Sequence, residues 1–228
     1  MSLPVRKLCR GVPGELAELI KKPGNDCLYS CFALAFICSA VYGMSIGFWR
    51  APLQGFYVAI KFPLLILLVT IGNAMINSML AKVLGARLTF RESFTAVLMS
   101  FTVASVILAS FSPLMLFLIW SSPSVSDPNS TISHHGILLF NVVSIAFAGV
   151  VSNLHLYKLV LHLTGSKKDS KRIIFSWLAV NLLLGSQLSW IMRPFIGGPK
   201  GAVEFLRENA FAGNFFEAVF HTAKGLMF

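Results

Sequence analysis

The sequence predicts an all-α polytopic membrane protein with five transmembrane helices and interfacial amphipathic helices at both termini. Three observations carry this. Of 228 residues, 56% are hydrophobic and only 12% charged, and the mean hydropathy is +0.75. An average soluble domain is about 25% charged, so these side chains cannot cover a soluble globule. Five apolar stretches reach the roughly 20 residues that cross a hydrocarbon core. Lys and Arg cluster in alternate connections, as they do in membrane proteins of fixed orientation. The same composition excludes a soluble single domain, a disordered chain and a disulfide-stapled miniprotein.

The chain divides into a cytoplasmic amphipathic segment over 1–26, a bundle over 27–192 and an interfacial tail over 193–228. In the first segment, Pro13 to Lys22 reads as a short helix. Pro13 suits a first helical position. Leu16, Leu19 and Ile20 share a face suited to a membrane surface, and Lys21-Lys22-Pro23-Gly24 stops the helix.

The first span runs from about Cys27 to Phe48. Its apolar run exceeds the roughly 7–15 residues of a signal-peptide core. Gly43 and Gly47 form a small-xxx-small pair that lets another helix approach. Cys27, Cys31 and Cys38 share a face of this span and read as small buried hydrophobes. The second span runs from about Val58 to Leu80 and the third from about Phe94 to Trp120, where Pro113 should kink it. The fourth runs from about Ile137 to Leu156 and can continue to Leu163; the fifth runs from about Ile173 to Met192. Gly197-Gly198-Pro199 then breaks the chain. Val203–Ala210 and Asn214–Leu226 carry Phe205, Leu206, Phe215, Phe216, Val219 and Phe220, a tail for the interface or the bundle mouth.

Basic residues sit before span one (Arg6, Lys7, Arg10, Lys21, Lys22), after span two (Lys82, Arg87, Arg91) and after span four (Lys158, Lys167, Lys168, Lys171, Arg172). The loop from Ser121 to Gly136 has none, and the first loop offers Arg50, with Lys61 at the edge of span two. The pattern predicts a cytoplasmic N-terminus and a C-terminus on the opposite side. Much of the net charge of +10 then faces anionic lipid headgroups. It does not predict nucleic acid, for which no motif is present.

Polar residues recur at helical spacing inside the spans: Thr70, Asn73 and Asn77; Thr95, Thr102, Ser105 and Ser112; Asn141, Ser144, Ala148, Ser152 and His155; Asn181, Gly185 and Ser189. An amide facing lipid is costly, so these stripes should face other helices, as packing contacts or as the lining of a hydrated path. No Asp or Glu lies deep in a span, which argues against a proton- or cation-coupled transporter. His155, Lys158 and His162 read as an interfacial helix face and lack the further ligands a metal site needs. Asn129-Ser130-Thr131 is a formal sequon in the loop expected outside. Trp190-Ile191-Met192-Arg193-Pro194-Phe195 reads as an interfacial anchor, with Trp190 in the headgroup belt. Arg193 sits at a helix C-terminus, where the dipole favours a cation. With Phe215 and Phe216, these two residues are the candidates for lipid or partner contact. No phosphate loop, nucleophile elbow, zinc helix or carboxylate pair is present, so no enzyme and no cofactor are expected.

Phe62-Pro63, Leu84-Gly85, Leu88-Thr89-Phe90-Arg91-Glu92-Ser93-Phe94 and Ser112-Pro113 follow one another in an order that resembles the Yip-type five-span membrane proteins, over about residues 55 to 120. The resemblance implies five spans, a cytosolic N-terminus and a C-terminus on the far side. The eukaryotic branch carries a long polar N-terminal domain and is implicated in vesicle traffic and GTPase binding. The short loops here are closer to the bacterial branch, which implies a bacterial inner membrane. The functional expectation is a scaffold or subunit of a membrane assembly, with lipids and other subunits or copies of itself as partners. The alternative is a homo-oligomeric channel with a neutral Asn/Ser/Thr-lined path.

Overall fold

The computed structural model describes residues 8, 10–21, 25–83, 89–127, 130–198, 201–218 and 220, with Ala81 and Lys82 as backbone only. Expectations resting on Arg6, Lys7, Lys22-Pro23-Gly24, Leu84-Gly85, Arg87, Leu88, Asn129, Pro199, Val219 and the residues from 221 onward lie outside the described residues, as does that on the Lys82 side chain.

Helices α1 (Pro13–Lys21), α2 (Asn25–Gly47), α3 (Pro52–Val83), α4 (Phe90–Ser121), α5 (Ser130–Thr164) and α6 (Lys167–Ile191) follow in order. The last five are long and apolar enough to cross a membrane, and no strand occurs among the described residues. The fold is the all-α, five-span polytopic class expected from composition. In a bilayer core a helix satisfies its own backbone groups, which irregular chain cannot do.

Three helices begin well before their apolar runs. α3 starts at Pro52, α5 at Ser130 and α6 at Lys167, because hydropathy marks the slab and not the backbone hydrogen bonding. α4 starts at a capping box: Thr89 Oγ1 accepts from the Glu92 amide at 3.3 Å, and Glu92 Oε2 accepts from the Thr89 amide at 2.7 Å. α5 turns into α6 through Gly165, whose φ of +67° suits a residue without a Cβ. The Thr164 and Ser170 hydroxyls close that turn at 2.7 Å.

α2 and α3 form the tightest hairpin. A Cβ on Gly43 would lie 2.6 Å from the Val58 carbonyl oxygen, and one on Gly47 2.7 Å from that of Gln54. The small-xxx-small pair thus brings two backbones into direct contact. α2 also packs on α4, which packs on α3 and α5, while α6 leans mainly on α3 and less on α5.

One core cluster lies near α1 and joins Leu16, Ile20, Cys31, Val97, Leu159 and Trp177. The apolar face of α1 is turned onto α4 and α5. The other cluster joins Tyr42, Ile46, Val58, Leu108, Met115, Ile137 and Ile196 near the end where α6 stops.

The tail crosses that same end. Val203–Ala210, expected as an amphipathic helix, is instead a run of bends and turns, and helix appears only at 215–218 and 220 among the described tail residues. Its shape follows its attachments. The Arg50 guanidinium donates to the Gly201 carbonyl at 2.7 Å, and Phe205 meets Tyr57 edge-on with ring centres 5.6 Å apart. Gly197, with φ of +78°, lets the chain turn against the Arg50 side chain.

Candidate functional site

The amides of α3 point inward. Asn73 and Asn77 are each 1% exposed, as is Thr70. Asn73 Nδ2 donates to the Val69 carbonyl at 3.0 Å and across to Asn181 Oδ1 on α6 at 3.2 Å. Neither Asn73 Oδ1 nor Asn77 Oδ1 has a hydrogen-bond partner among the described residues. Both residues border a cleft of about 910 Å³ bounded by α3, α4, α5, α6, Ile46 of α2 and residues of 193–198 and 201–207.

The predicted polar residues divide into two groups. Asn73, Asn77, Asn141, Ser152, Asn181 and Ser189 line the cleft. Thr70, Thr102, Ser105 and Ser144 do not; they are buried at helix contacts. Thr102 shows what such contacts do: its hydroxyl is placed 3.1 Å from the Cys31 carbonyl on α2 and 2.8 Å from the Leu98 carbonyl on its own helix. Thr70 Oγ1 and Ser189 Oγ return their protons to the Ile66 and Gly185 carbonyls at 2.7 and 2.6 Å. Asn141 also accepts a hydrogen bond from the Tyr42 hydroxyl at 2.8 Å, joining α5 to α2. His155 and His162 lie under the N-terminal segment, beside Gly11 and Gly14.

Most of the cleft wall is apolar: Leu65, Ile66, Val69, Phe101, Ala104 and Leu108 on one side, Leu138, Val142, Ile145 and Leu182 on the other. Its charged end is built by the tail. The Arg193 guanidinium lies 3.3 Å from the centre of the Trp190 ring, and that of Arg207 lies 4.9 Å from it. Burial and the neighbouring Arg207 charge push the Arg193 pKa below its ordinary value. Phe215 packs on Trp190 with ring centres 6.4 Å apart and on Phe216 at 5.3 Å, and the Phe215 amide donates to Gln187 Oε1 at 3.1 Å.

A second group at this end is absent from the sequence-derived candidates. Lys61 is 0% exposed. Its ammonium donates to the Pro194 carbonyl at 2.7 Å and lies 5.1 Å from the centre of the Phe205 ring, with Glu204 as an opposing charge. Gln54, also buried, donates to the Pro194 and Phe195 carbonyls at 3.0 and 3.1 Å. The available signal was Lys61 itself, a cation on a long apolar helix that needs an acceptor.

The arrangement suits binding. A long apolar cleft with a few amides and a guanidinium pair at one end fits an amphipathic occupant. Among the described residues, no three His, Cys, Asp or Glu side chains gather where they could hold a metal ion. No known family, curated protein or solved structure matches this chain.

Proposed function

We propose that this multi-pass helical protein is a non-enzymatic scaffold or subunit of a membrane assembly, working through helix–helix and lipid contacts. The supporting observation is how little of α6 its own chain covers: only 11% of its apolar window is buried, the smallest share of the five spans. Phe175, Leu182 and Leu183 on α6, with Leu139, Val143 and Val150 on α5, are exposed. In a bilayer such faces take their cover from lipid tails or from another helix. The reading includes a bacterial inner membrane, an N-terminus on the cytoplasmic side and a likeness to the Yip-type proteins over 55–120.

A second reading, a homo-oligomeric channel, draws on the amides along the cleft. The apolar majority of the wall supports it less, because an ion path needs water or polar ligands throughout.

Purification in mild detergent, followed by mass measurement, tests the first reading. The expected result is a particle of more than one chain, or one that retains a second subunit. A bare monomer overturns it. Conductance in planar bilayers that changes in Asn77→Leu, with helix content intact, would favour the channel.

A further inference from the structure

The cleft borders and the charges at its end describe one kind of ligand. Along α6 the wall runs from Trp177 to Ser189, roughly 18 Å at the α-helical rise. The hydrocarbon half-thickness of a bilayer is about 15 Å, so this wall is about one leaflet deep. Its apolar rim faces outward: Leu138, Val142 and Ile145 on α5 and Leu182 on α6 both line the cleft and are 41–63% exposed. A chain can therefore slide in sideways from the membrane.

Behind that rim, two facing helices present glycine. Gly149 on α5 and Gly185 on α6 line the cleft, and a Cβ on either would meet nothing within 4 Å. Elsewhere small residues close a contact, as Gly43 and Gly47 do between α2 and α3. Here they widen a channel for something slender.

At the end of the wall, the cleft reaches Arg193, Glu204 and Arg207. Glu204 acts on the Lys61 ammonium. The two guanidiniums share the Trp190 ring, and Arg207 Nε and Nη2 are buried without a hydrogen-bond partner among the described residues. Arg193 gives its Nε–H to the Trp190 carbonyl at 3.3 Å, and the donors left on the two guanidiniums match the oxygens of a phosphate, which a guanidinium binds in bidentate fashion.

We propose that the cleft holds an acyl chain of an anionic glycerophospholipid, with the lipid phosphate bound by Arg193 and Arg207. This rests on the lipid-contact half of the reading above and names the class of lipid. The headgroup sits where α6 ends, and the chain lies between α5 and α6 past Gly185 and Gly149. A second protein helix is a poorer fit, because the charged end would then need a carboxylate placed at its tip.

The test is native mass spectrometry of the full chain in mild detergent, titrated with phosphatidylglycerol or with phosphatidylcholine of the same acyl chains. Wild type should bind phosphatidylglycerol about tenfold more tightly, because phosphatidylcholine brings the same phosphate together with a choline ammonium that the two guanidiniums repel. Arg207→Gln should bring the preference close to unity, and Arg193→Gln should lower it. Gly185→Phe, or Gly149→Leu on the opposite wall, should lower retention of both lipids about tenfold or more with helix content unchanged. Equal affinity for the two lipids in wild type overturns the proposal. So does undiminished retention in both glycine variants, or displacement of the lipid by inorganic phosphate at matched concentration. The same spectra count protein chains. An assembly without bound lipid sinks this proposal alone, and a monomer that keeps its lipid sinks the assembly alone.

Discussion

The Lys61 ammonium donates to the Pro194 carbonyl at 2.7 Å, joining α3 to a turn 133 residues later. Gln54 shares that carbonyl at 3.0 Å and takes the next one at 3.1 Å. Phe195 and Phe205 surround the ammonium at 6.0 and 5.1 Å. A buried lysine is tolerated when its donors find carbonyls and ring faces in place of water. These contacts hold the start of α3 to the end of α6.

Lys61→Met removes the donor and its desolvation cost together, so the net loss is modest. We expect about 1–2 kcal/mol, or roughly 2–8 °C in thermal unfolding in detergent for a chain of this size. Limited proteolysis of the 193–218 segment should quicken in parallel. Unchanged melting and unchanged proteolysis would show that Lys61 does not hold the stretch after α6 to α3.

Two glycines give opposite expectations. Gly43→Ala places a methyl 2.6 Å from the Val58 carbonyl oxygen and should cost about 1–3 kcal/mol through forced separation of α2 and α3. Gly149→Ala meets nothing within 4 Å and should stay within about 0.5 kcal/mol of wild type. Paired melting curves decide it, and equal effects would mean that α2 and α3 do not meet backbone to backbone at Gly43.

Tyr42→Phe deletes the hydroxyl that donates to Asn141 Oδ1 at 2.8 Å. Hydrogen bonds between helices in membranes are worth about 0.6 kcal/mol on average and about 1.7 at most. A double-mutant cycle with Asn141→Leu should return a coupling in that range. Strict additivity would show that the two side chains do not act together.

Asn73 and Asn77 separate a bridging amide from a lining one. Asn73 donates to Asn181 across the α3–α6 contact, while Asn77 Oδ1 has no partner among the described residues. Asn73→Leu should therefore lower stability by about 1 kcal/mol. Asn77→Leu should cost less: both substitutions remove an unsatisfied buried acceptor, but only Asn73 also gives up a bond to another helix among the described residues. Thermal unfolding of the two variants side by side measures the order; the reverse order would move the structural role to Asn77.

How much was legible depends on the range over which each residue acts. The five spans follow from Phe62 to Val69 and similar runs, because lipid selects continuous apolar stretches. The inward stripes follow from Asn73 and Asn77, because an amide repels acyl chains over any partner. Gly43 and Gly47 announced a close approach, though not that Val58 and Gln54 would be the backbone met. The Lys61–Pro194 bond was not legible, since periodicity carries no information on a pairing across most of the chain. Arg207 was visible only as one charge among several; its place beside Trp190 depends on a non-helical path through Val203–Ala210. Helical spacing could not foresee that path, because the attachment of the Gly201 carbonyl to Arg50 shapes it.

The Pro194 acceptor also sets an order of events during synthesis. Lys61 leaves the ribosome long before residue 194 exists, so the nascent second span carries a stranded ammonium until the last helix and its following turn arrive. A polypeptide truncated ahead of that turn never acquires the missing acceptor. The stretch that follows α6 thus completes a helix made 133 residues earlier.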